Sequence, residues 1–123
     1  MVPRFLDKLC ARAELPGRLA ALAAPLVFTN GVFDVLHRGH VTYLAAARVL
    51  GASLVIGLNS DASARALGKA PGRPLNAEAD RACVLAALES VSLVVPFDEA
   101  TPVELLQQVR PALYVKGGDY DIE

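Results

Sequence analysis

The only two histidines of the chain, His37 and His40, stand three residues apart in the segment 29–40, Thr-Asn-Gly-Val-Phe-Asp-Val-Leu-His-Arg-Gly-His. At the start of a helix this spacing puts two side chains on neighbouring positions of one face. A helix N-terminus offers N–H groups and a partial positive charge, which suit a polyphosphate. Gly31 and Gly39 let backbone approach a phosphate or base without a Cβ in the way. We therefore predict that both imidazoles donate hydrogen bonds to a reacting phosphate.

Two other interpretations of the histidine pair stay open at this stage. Both rings could be ordinary capping or packing residues of a structural turn. A zinc site is the second alternative, but His-x-x-His is a poor zinc pattern without a third ligand, and the sequence offers no obvious one. We predict no metal ion held by protein side chains alone.

Further polar and basic residues follow the apolar runs or interrupt the helical patterns. Asp34 lies in the turn before the histidines, where its carboxylate could orient a ring or a backbone turn. Lys69 and Arg73 lie in a loop rich in Gly and Pro, and basic loops of this kind often close over an anionic substrate. Each of these residues could instead have a purely structural role. Lys69, Arg73 and Arg81 could be solvated charges, and Asp119 could be a turn residue. Asn59 and Asp61 could mark a strand end and a helix cap.

Short apolar runs alternate with longer helical patterns along the chain. We predict strands over residues 25–29, 53–58, 93–95 and 112–115. We predict helices over residues 40–50, from a cap at Asn76 to about Ser90, and over residues 101–110, with Thr101 as cap and Pro102 at the first position. Residues 3–23 have a loosely helical face interrupted at Pro16 and Gly17, and this segment could pack on the core or on a neighbouring molecule.

This alternation predicts an α/β fold: a Rossmann-like, doubly wound parallel sheet in three layers, forming one domain. Residues 1–24 form an N-terminal helical segment and residues 25–123 the core. In such folds ligands bind beyond the carboxyl ends of the strands, where the strand order reverses. The polar residues that follow the first, second and fourth predicted strands are expected to meet there. After the fourth strand these are Lys116 and Asp119, with Gly118 between them.

Composition excludes several classes of function. Twelve Lys and Arg residues against 13 Asp and Glu residues give a net charge of −1, which offers no argument for nucleic-acid binding. No apolar run approaches the ~20 residues of a membrane span, and charges near the N-terminus interrupt any export signal. Two cysteines are expected to be small hydrophobic residues in a reducing compartment. We expect a soluble, cytoplasmic protein.

The segment 31–40 resembles the signature of the cytidylyltransferase-like nucleotidyltransferase superfamily, whose core is His-x-Gly-His after a Gly-x-Phe-Asp turn. Within that superfamily the sequence most resembles the adenylyltransferases of ADP-heptose synthesis, from about Leu26 to Tyr120. The resembling motifs are Thr-Asn-Gly at 29–31, Asn-Ser-Asp-Ala at 59–62, Gly-Arg-Pro-Leu-Asn at 72–76, Arg81, Val-Pro-Phe at 95–97, Thr-Pro at 101–102 and Val-Lys-Gly-Gly-Asp-Tyr at 115–120.

The resemblance implies transfer of AMP from ATP to a heptose 1-phosphate, with Mg²⁺ and release of pyrophosphate, for precursors of the lipopolysaccharide core. It implies small-molecule partners, no nucleic acid or membrane, and a homodimer. The implied catalytic residues are His37, His40, Lys69 and Arg81. The implied nucleotide-binding residues are Thr29, Asn30, Gly31, Val32, Phe33, Asp34, Gly39, Lys116, Gly118 and Asp119. The implied acceptor-binding residues are Asn59, Asp61 and Arg73.

The sequence departs from the family pattern in two places. Val32 stands where many members have Thr, so no hydroxyl contact to phosphate is expected there. Family members also continue into a Ser-Thr-Thr segment that holds nucleotide phosphates, whereas this sequence ends at Glu123; a molecule without that segment is not expected to be fully active. The rival functions are a cytidylyltransferase acting on glycerol 3-phosphate or a similar phospho-alcohol, and a non-catalytic nucleotide-binding module.

Overall fold

The computed structural model of the chain describes residues 2–67, 72 and 74–116. Two short 3₁₀ helices, Arg4–Lys8 and Arg12–Glu14, precede the regular elements. The elements that follow are α1 (Leu15–Ala20), β1 (Leu26–Gly31), α2 (Arg38–Arg48), β2 (Ser53–Asn59), α3 (Asp61–Ala66), α4 (Glu78–Ala86), β3 (Leu93–Phe97), α5 (Val103–Val109) and β4 (Leu113–Tyr114).

The four strands form one parallel sheet in the order β3-β2-β1-β4. The chain moves outward from β1 to β2 and β3, then returns across the sheet to place β4 on the other side of β1. The strand order therefore reverses between β1 and β4, and we call the space beyond their carboxyl ends the β1–β4 crevice. This arrangement confirms the predicted doubly wound α/β fold, a class of fold in which ligands commonly bind at such a crevice.

Helices cover both faces of the sheet, which explains why its strands are apolar runs without alternation. All seven residues of β2 are buried. On one face, α2 and α4 pack against the side chains of Val27, Leu54, Ile56, Leu58 and Val94. On the other face, α1 and α5 pack against Phe28, Val55, Leu93, Val95 and Phe97.

The N-terminal segment lies on the core, along the outer edge of β3. Leu9 forms an isolated parallel bridge with Val94, whose carbonyl accepts a hydrogen bond of 2.9 Å from the Cys10 amide. Leu15 is completely buried in the second core cluster. Because this segment pairs with β3, it covers a strand edge that would otherwise expose unpaired backbone groups.

Several helix ends differ from their predicted positions. Helix α2 begins two residues earlier than expected and α4 ends at Ala86 rather than near Ser90, because residues 87–91 form tight turns into β3. The cap of α5 is Pro102 and not Thr101, whose hydroxyl accepts only a long 3.5 Å bond from the Val103 amide. Among the described helices, none has the length and apolar character needed to cross a membrane.

Candidate active site

The turn between β1 and α2 is built around Phe33, which adopts the left-handed conformation with φ of +50°. This conformation is costly for a residue with a side chain, and such residues concentrate at functional sites. Burial of the ring in the core compensates for it, and the ring lies edge-on to His40 with centroids 5.9 Å apart. A Cβ on Gly31 would stand 3.0 Å from the Phe33 ring. The Gly-x-Phe spacing therefore follows from the shape of this turn.

The two histidines form a reciprocal cap at the N-terminus of α2. His37 is the N-cap residue, and its Nδ1 accepts a 3.0 Å hydrogen bond from the Gly39 amide. His40, one turn into the helix, accepts a 3.2 Å bond at its own Nδ1 from the His37 amide. The ring centroids are 4.0 Å apart. The predicted neighbouring placement is present, and the rings also do the capping that the structural interpretation proposed.

These backbone bonds fix the tautomer of both rings. A neutral imidazole whose Nδ1 accepts a hydrogen bond has its proton on Nε2. Both rings therefore present Nε2 as a hydrogen-bond donor, at the positive end of the α2 dipole. Gly39 is required for this geometry, because a Cβ there would lie 2.8 Å from Cε1 of His37.

Arg81, one of the catalytic residues that the resemblance implies, is bonded to groups of the protein itself. It is only 2% exposed, in the first half of α4, and its guanidinium faces protein acceptors. Nε donates to the Asn76 carbonyl at 2.9 Å, Nη1 donates to the Val32 and Asn59 carbonyls at 2.8 Å each, and Nη2 donates to Asp61 Oδ1 at 2.7 Å. We call this set the Arg81 cluster. It joins the segments following β1 and β2 to the segment before α4, so Arg81 positions the site.

Asp34 has a similar organising role one residue beyond Phe33. Its carboxylate accepts hydrogen bonds from the Leu75 amide at 2.7 Å and the Asn76 amide at 2.9 Å. The Asn76 side chain donates back to the Asp34 carbonyl at 2.6 Å. Asn76 is therefore not the cap of α4, which is Ala77. The predicted alternative that Asp34 orients a backbone turn is what the structure shows.

The Asn59 side chain is buried, whereas the Asp61 carboxylate is bonded to Arg81 and remains 36% exposed. The Asn59 side chain donates to Ser63 Oγ at 3.3 Å, while its carbonyl belongs to the Arg81 cluster. The hydrogen bond from Arg81 holds the pKa of the Asp61 carboxyl below its usual value. Desolvation raises the pKa of the nearby Glu78 carboxyl, and the negative charge of Asp61 raises it further. The cap of α3 is Ser60, with Asp61 in the first turn.

At the β1–β4 crevice, Thr29 and Asn30 point to opposite faces of β1. Thr29 is buried and forms a hydrogen bond between its hydroxyl and that of Tyr43. Asn30 accepts a hydrogen bond from the Tyr114 hydroxyl. Lys116 follows the end of β4 and is exposed. The structure thus brings residues 29–34, both histidines and the end of β4 to one edge of the sheet.

Four predicted site residues, Lys69, Arg73, Gly118 and Asp119, lie outside the described residues. Within the described ranges, no group of three His, Cys, Asp or Glu side chains is placed to hold a metal ion. The described part of the site therefore consists of hydrogen-bond donors, a helix N-terminus and a supporting network.

A sequence profile of the cytidylyltransferase-like family matches residues 28–123 of the chain. The chain belongs to the cytidylyltransferase-like family. It is 58% identical over 122 residues to a D-beta-D-heptose 1-phosphate adenylyltransferase of Bordetella bronchiseptica, covering 98% of this chain and 75% of that protein. It is 60% identical over 117 residues to the bifunctional protein HldE of Methylobacillus flagellatus, covering 93% of this chain but only 24% of that protein.

A solved structure supports the same family assignment. The crystal structure of the lipopolysaccharide core biosynthesis protein of Thermoplasma volcanium superposes with a TM-score of 0.70 at 31% sequence identity. The match covers 80% of this chain and 78% of that one.

Sequence reasoning about this family member missed the two tyrosines at the crevice. Tyr43 lies three residues after His40, on the side of α2 that packs against the sheet, and Tyr114 lies in an exposed edge strand. A usable signal was present for Tyr43, because a phenol on the apolar side of a helix needs a hydrogen-bond partner for its hydroxyl. No comparable signal existed for Tyr114, since its partner Asn30 is 84 residues away.

Proposed function

We propose that this protein transfers AMP from ATP to D-glycero-β-D-manno-heptose 1-phosphate, giving ADP-heptose and pyrophosphate for synthesis of lipopolysaccharide core precursors. The observation that supports this most directly is the pair of Nε2 donors at the N-terminus of α2, beside the reversal of strand order. The acceptor is suggested by the 58% identity to a heptose 1-phosphate adenylyltransferase over nearly the whole chain.

In the proposed reaction an oxygen of the sugar phosphate attacks the α-phosphorus of ATP. A new P–O bond forms while the bond between the α-phosphorus and the bridging oxygen breaks, and pyrophosphate leaves with that electron pair. The attacking phosphate is already ionised near neutral pH, so no general base is needed. Catalysis then depends on alignment and on stabilising the charge of the phosphate oxygens.

The histidine donors match that requirement. His37 and His40 would donate from Nε2 to oxygens of the α-phosphate and of the leaving group, and the α2 dipole would favour the same negative charge. Lys69, Arg73 and Lys116 are the proposed cationic contacts to substrate phosphates. Arg81, Asp34, Asn59 and Asp61 hold the segments around them.

Mg²⁺ is proposed to arrive with ATP as the counter-ion of its phosphates. Mg²⁺ in nucleotide enzymes commonly keeps water and substrate phosphates among its ligands, with one or two carboxylates at most. Within the described residues, no three His, Cys, Asp or Glu side chains are grouped to hold a metal ion. The chemistry of Mg²⁺ would be to neutralise charge on the β- and γ-phosphates.

The first experiment measures pyrophosphate release with heptose 1-phosphate or glycerol 3-phosphate, each with Mg²⁺ and either ATP or CTP. We expect turnover with ATP and heptose 1-phosphate only. Turnover with CTP and glycerol 3-phosphate would replace the proposal with the cytidylyltransferase alternative. Nucleotide binding without turnover on any pair would favour the binding module.

Two substitutions at one position separate donation from capping. His37→Ala removes both the Nε2 donor and the cap, and loss of one such donor typically costs about 10²–10³ in turnover. His37→Asn restores a good N-cap, because the Asn side chain accepts from the helix amides. We expect His37→Asn to regain thermal stability but not turnover. Recovery of turnover by His37→Asn would refute the requirement for an imidazole donor at this position.

The same proposal covers cellular location and assembly. ATP and a sugar phosphate are intracellular metabolites, so we propose a cytoplasmic enzyme acting on small molecules, without nucleic-acid or membrane partners. We propose a homodimer as well. Light scattering on the purified protein tests the dimer, with an expected mass of twice 13.0 kDa.

A further inference from the structure

The carboxyl end of β4 forms one side of the β1–β4 crevice. Strand β4 has two residues and, among the strands of the described part of the chain, pairs with β1. Both residues are exposed, and Tyr114 is 41% accessible. Beyond the two paired residues, the Val115 amide donates to the Phe28 carbonyl at 2.8 Å. Because this ladder is so short, side-chain contacts near residue 115 can contribute to the position of the following residue, Lys116.

One such contact comes from α2. The Tyr43 hydroxyl donates to the Val115 carbonyl at 3.3 Å and is hydrogen-bonded to the Thr29 hydroxyl. A phenol has one proton, so when Tyr43 donates to Val115 it accepts from Thr29. The resulting chain of bonds joins β1, α2 and the end of β4. Tyr43 lies one turn after His40, so the helix that presents the histidine pair also holds the end of β4.

The second contact lies on the opposite face of the sheet. The Tyr114 hydroxyl donates to Asn30 Oδ1, and its ring packs against Phe28 with centroids 5.7 Å apart. Partial burial raises the pKa of the Tyr114 phenol above its ordinary value. Thr29 and Asn30 are consecutive residues of β1 and point to opposite faces. The two hydroxyls therefore hold the end of β4 against β1 from both sides.

We propose that Tyr43 and Tyr114 are positioning residues that fix the end of β4, and with it Lys116, for binding of the nucleotide phosphates. Neither tyrosine takes part in the chemistry at the α-phosphorus. The Tyr43 hydroxyl acts through the backbone of residue 115 and the Tyr114 hydroxyl through its bond to Asn30. Their loss therefore weakens nucleotide binding and leaves turnover at saturation nearly intact. This inference rests on the proposed nucleotidyl transfer for the identity of the ligand.

Tyr43→Phe and Tyr114→Phe test the proposal, because each removes one hydroxyl and keeps the ring. The dissociation constant of ATP with Mg²⁺ is measured by calorimetry without acceptor, and kcat and KM are measured with acceptor. Loss of one hydrogen bond of ordinary strength predicts a roughly three- to tenfold weaker affinity for ATP. The same variants should keep kcat within about twofold, since KM rises alone when binding is lost equally in ground and transition states.

Ser92→Ala is the matched control. Its hydroxyl accepts a 3.0 Å bond from the Leu54 amide at the amino end of the sheet, far from the crevice. This variant loses a side chain–backbone hydrogen bond of the same kind and should melt earlier without a change in ATP affinity. Equal ATP affinities for Tyr43→Phe and Ser92→Ala would overturn the proposal.

A double-mutant cycle tests whether Tyr43 acts through Lys116. Tyr43→Phe should weaken ATP binding much less in a Lys116→Ala background than in the wild type, because coupled residues are not additive. If Tyr43→Phe weakens ATP binding equally in the wild-type and Lys116→Ala backgrounds, the positioning role is overturned. It is also overturned if Tyr43→Phe lowers kcat as much as His37→Asn does. If the wild type binds ATP without turnover, the proposed reaction fails while the affinity cycle still decides the tyrosine roles. If it binds neither ATP nor CTP, both inferences fail.

Discussion

Replacing Arg81 with Ala is the sharpest test of the difference between a phosphate ligand and a buried organiser. In the structure the guanidinium is bonded to three backbone carbonyls and one carboxylate, and its side chain is fully buried. The substitution leaves the Val32, Asn59 and Asn76 carbonyls without this donor and leaves the Asp61 carboxylate without its cation. Such carbonyls cost free energy when they are desolvated without a partner.

The expected loss can be sized from comparable interactions. Leaving a buried acceptor without its donor typically costs about 1–3 kcal/mol, so loss of the donor to three carbonyls costs at least about 3 kcal/mol. For a domain of this size that corresponds to a fall in Tm of roughly 10–20 °C. Asp61 is 36% exposed, so water would solvate its freed charge, and most of the loss should come from the carbonyls. Arg81→Lys supplies a single ammonium with three protons and no planar fork, so it should recover only part of the lost stability.

Urea unfolding followed by circular dichroism measures the loss, and ATP calorimetry measures binding in parallel. Arg65→Ala, an exposed arginine on α3, is the control and should change the free energy of unfolding by less than about 0.5 kcal/mol. We expect stability to fall in the order Arg65→Ala, Arg81→Lys, Arg81→Ala. If Arg81→Ala is as stable as the control but has lost ATP binding, then Arg81 is a phosphate ligand and the buried-organiser argument is refuted.

Three further predictions follow from contacts at the same edge of the sheet. Gly39→Ala places a Cβ 2.8 Å from the His37 ring and should lower kcat by about 10², as expected for a donor displaced by about 1 Å. The higher helix propensity of Ala should offset the weakened cap, so Tm should change little. Asp34→Ala frees two loop amides and should destabilise the fold by about 1–3 kcal/mol in urea titration; an unchanged midpoint would contradict its organising role. The pKa of Asp61 is lower in the folded protein than in the unfolded chain, where it is about 4. The ionised carboxylate therefore stabilises the fold fully above about pH 4, and this stabilisation is lost as the pH falls through the folded pKa. The difference in unfolding free energy between wild type and Asp61→Asn should therefore narrow below about pH 4; a constant difference would show that the charge is not coupled to folding.

The sequence alone was sufficient for the fold class, and the reason is local. Apolar runs too short for helices, separated by helical patterns, admit few arrangements other than a covered parallel sheet. The histidine pair was equally accessible, because residues three apart at a helix start become neighbours whatever the rest of the chain does. Residues 29–40 are contiguous, so their grouping required no knowledge of long-range contacts.

The tertiary structure decided the role of residues whose partners are distant in sequence. The family resemblance implied a triphosphate contact for Arg81, yet the guanidinium is bonded to acceptors 22 and 49 residues away. The local pattern predicts Asn76 as a helix cap, but its amide and side chain are hydrogen-bonded to Asp34, 42 residues earlier. The Tyr114 hydroxyl donates to Asn30 in the neighbouring strand, and this contact supports its proposed positioning role. Sequence patterns report periodicity and local capping, whereas the pairing of a buried donor with its acceptor depends on which loops the sheet order brings together.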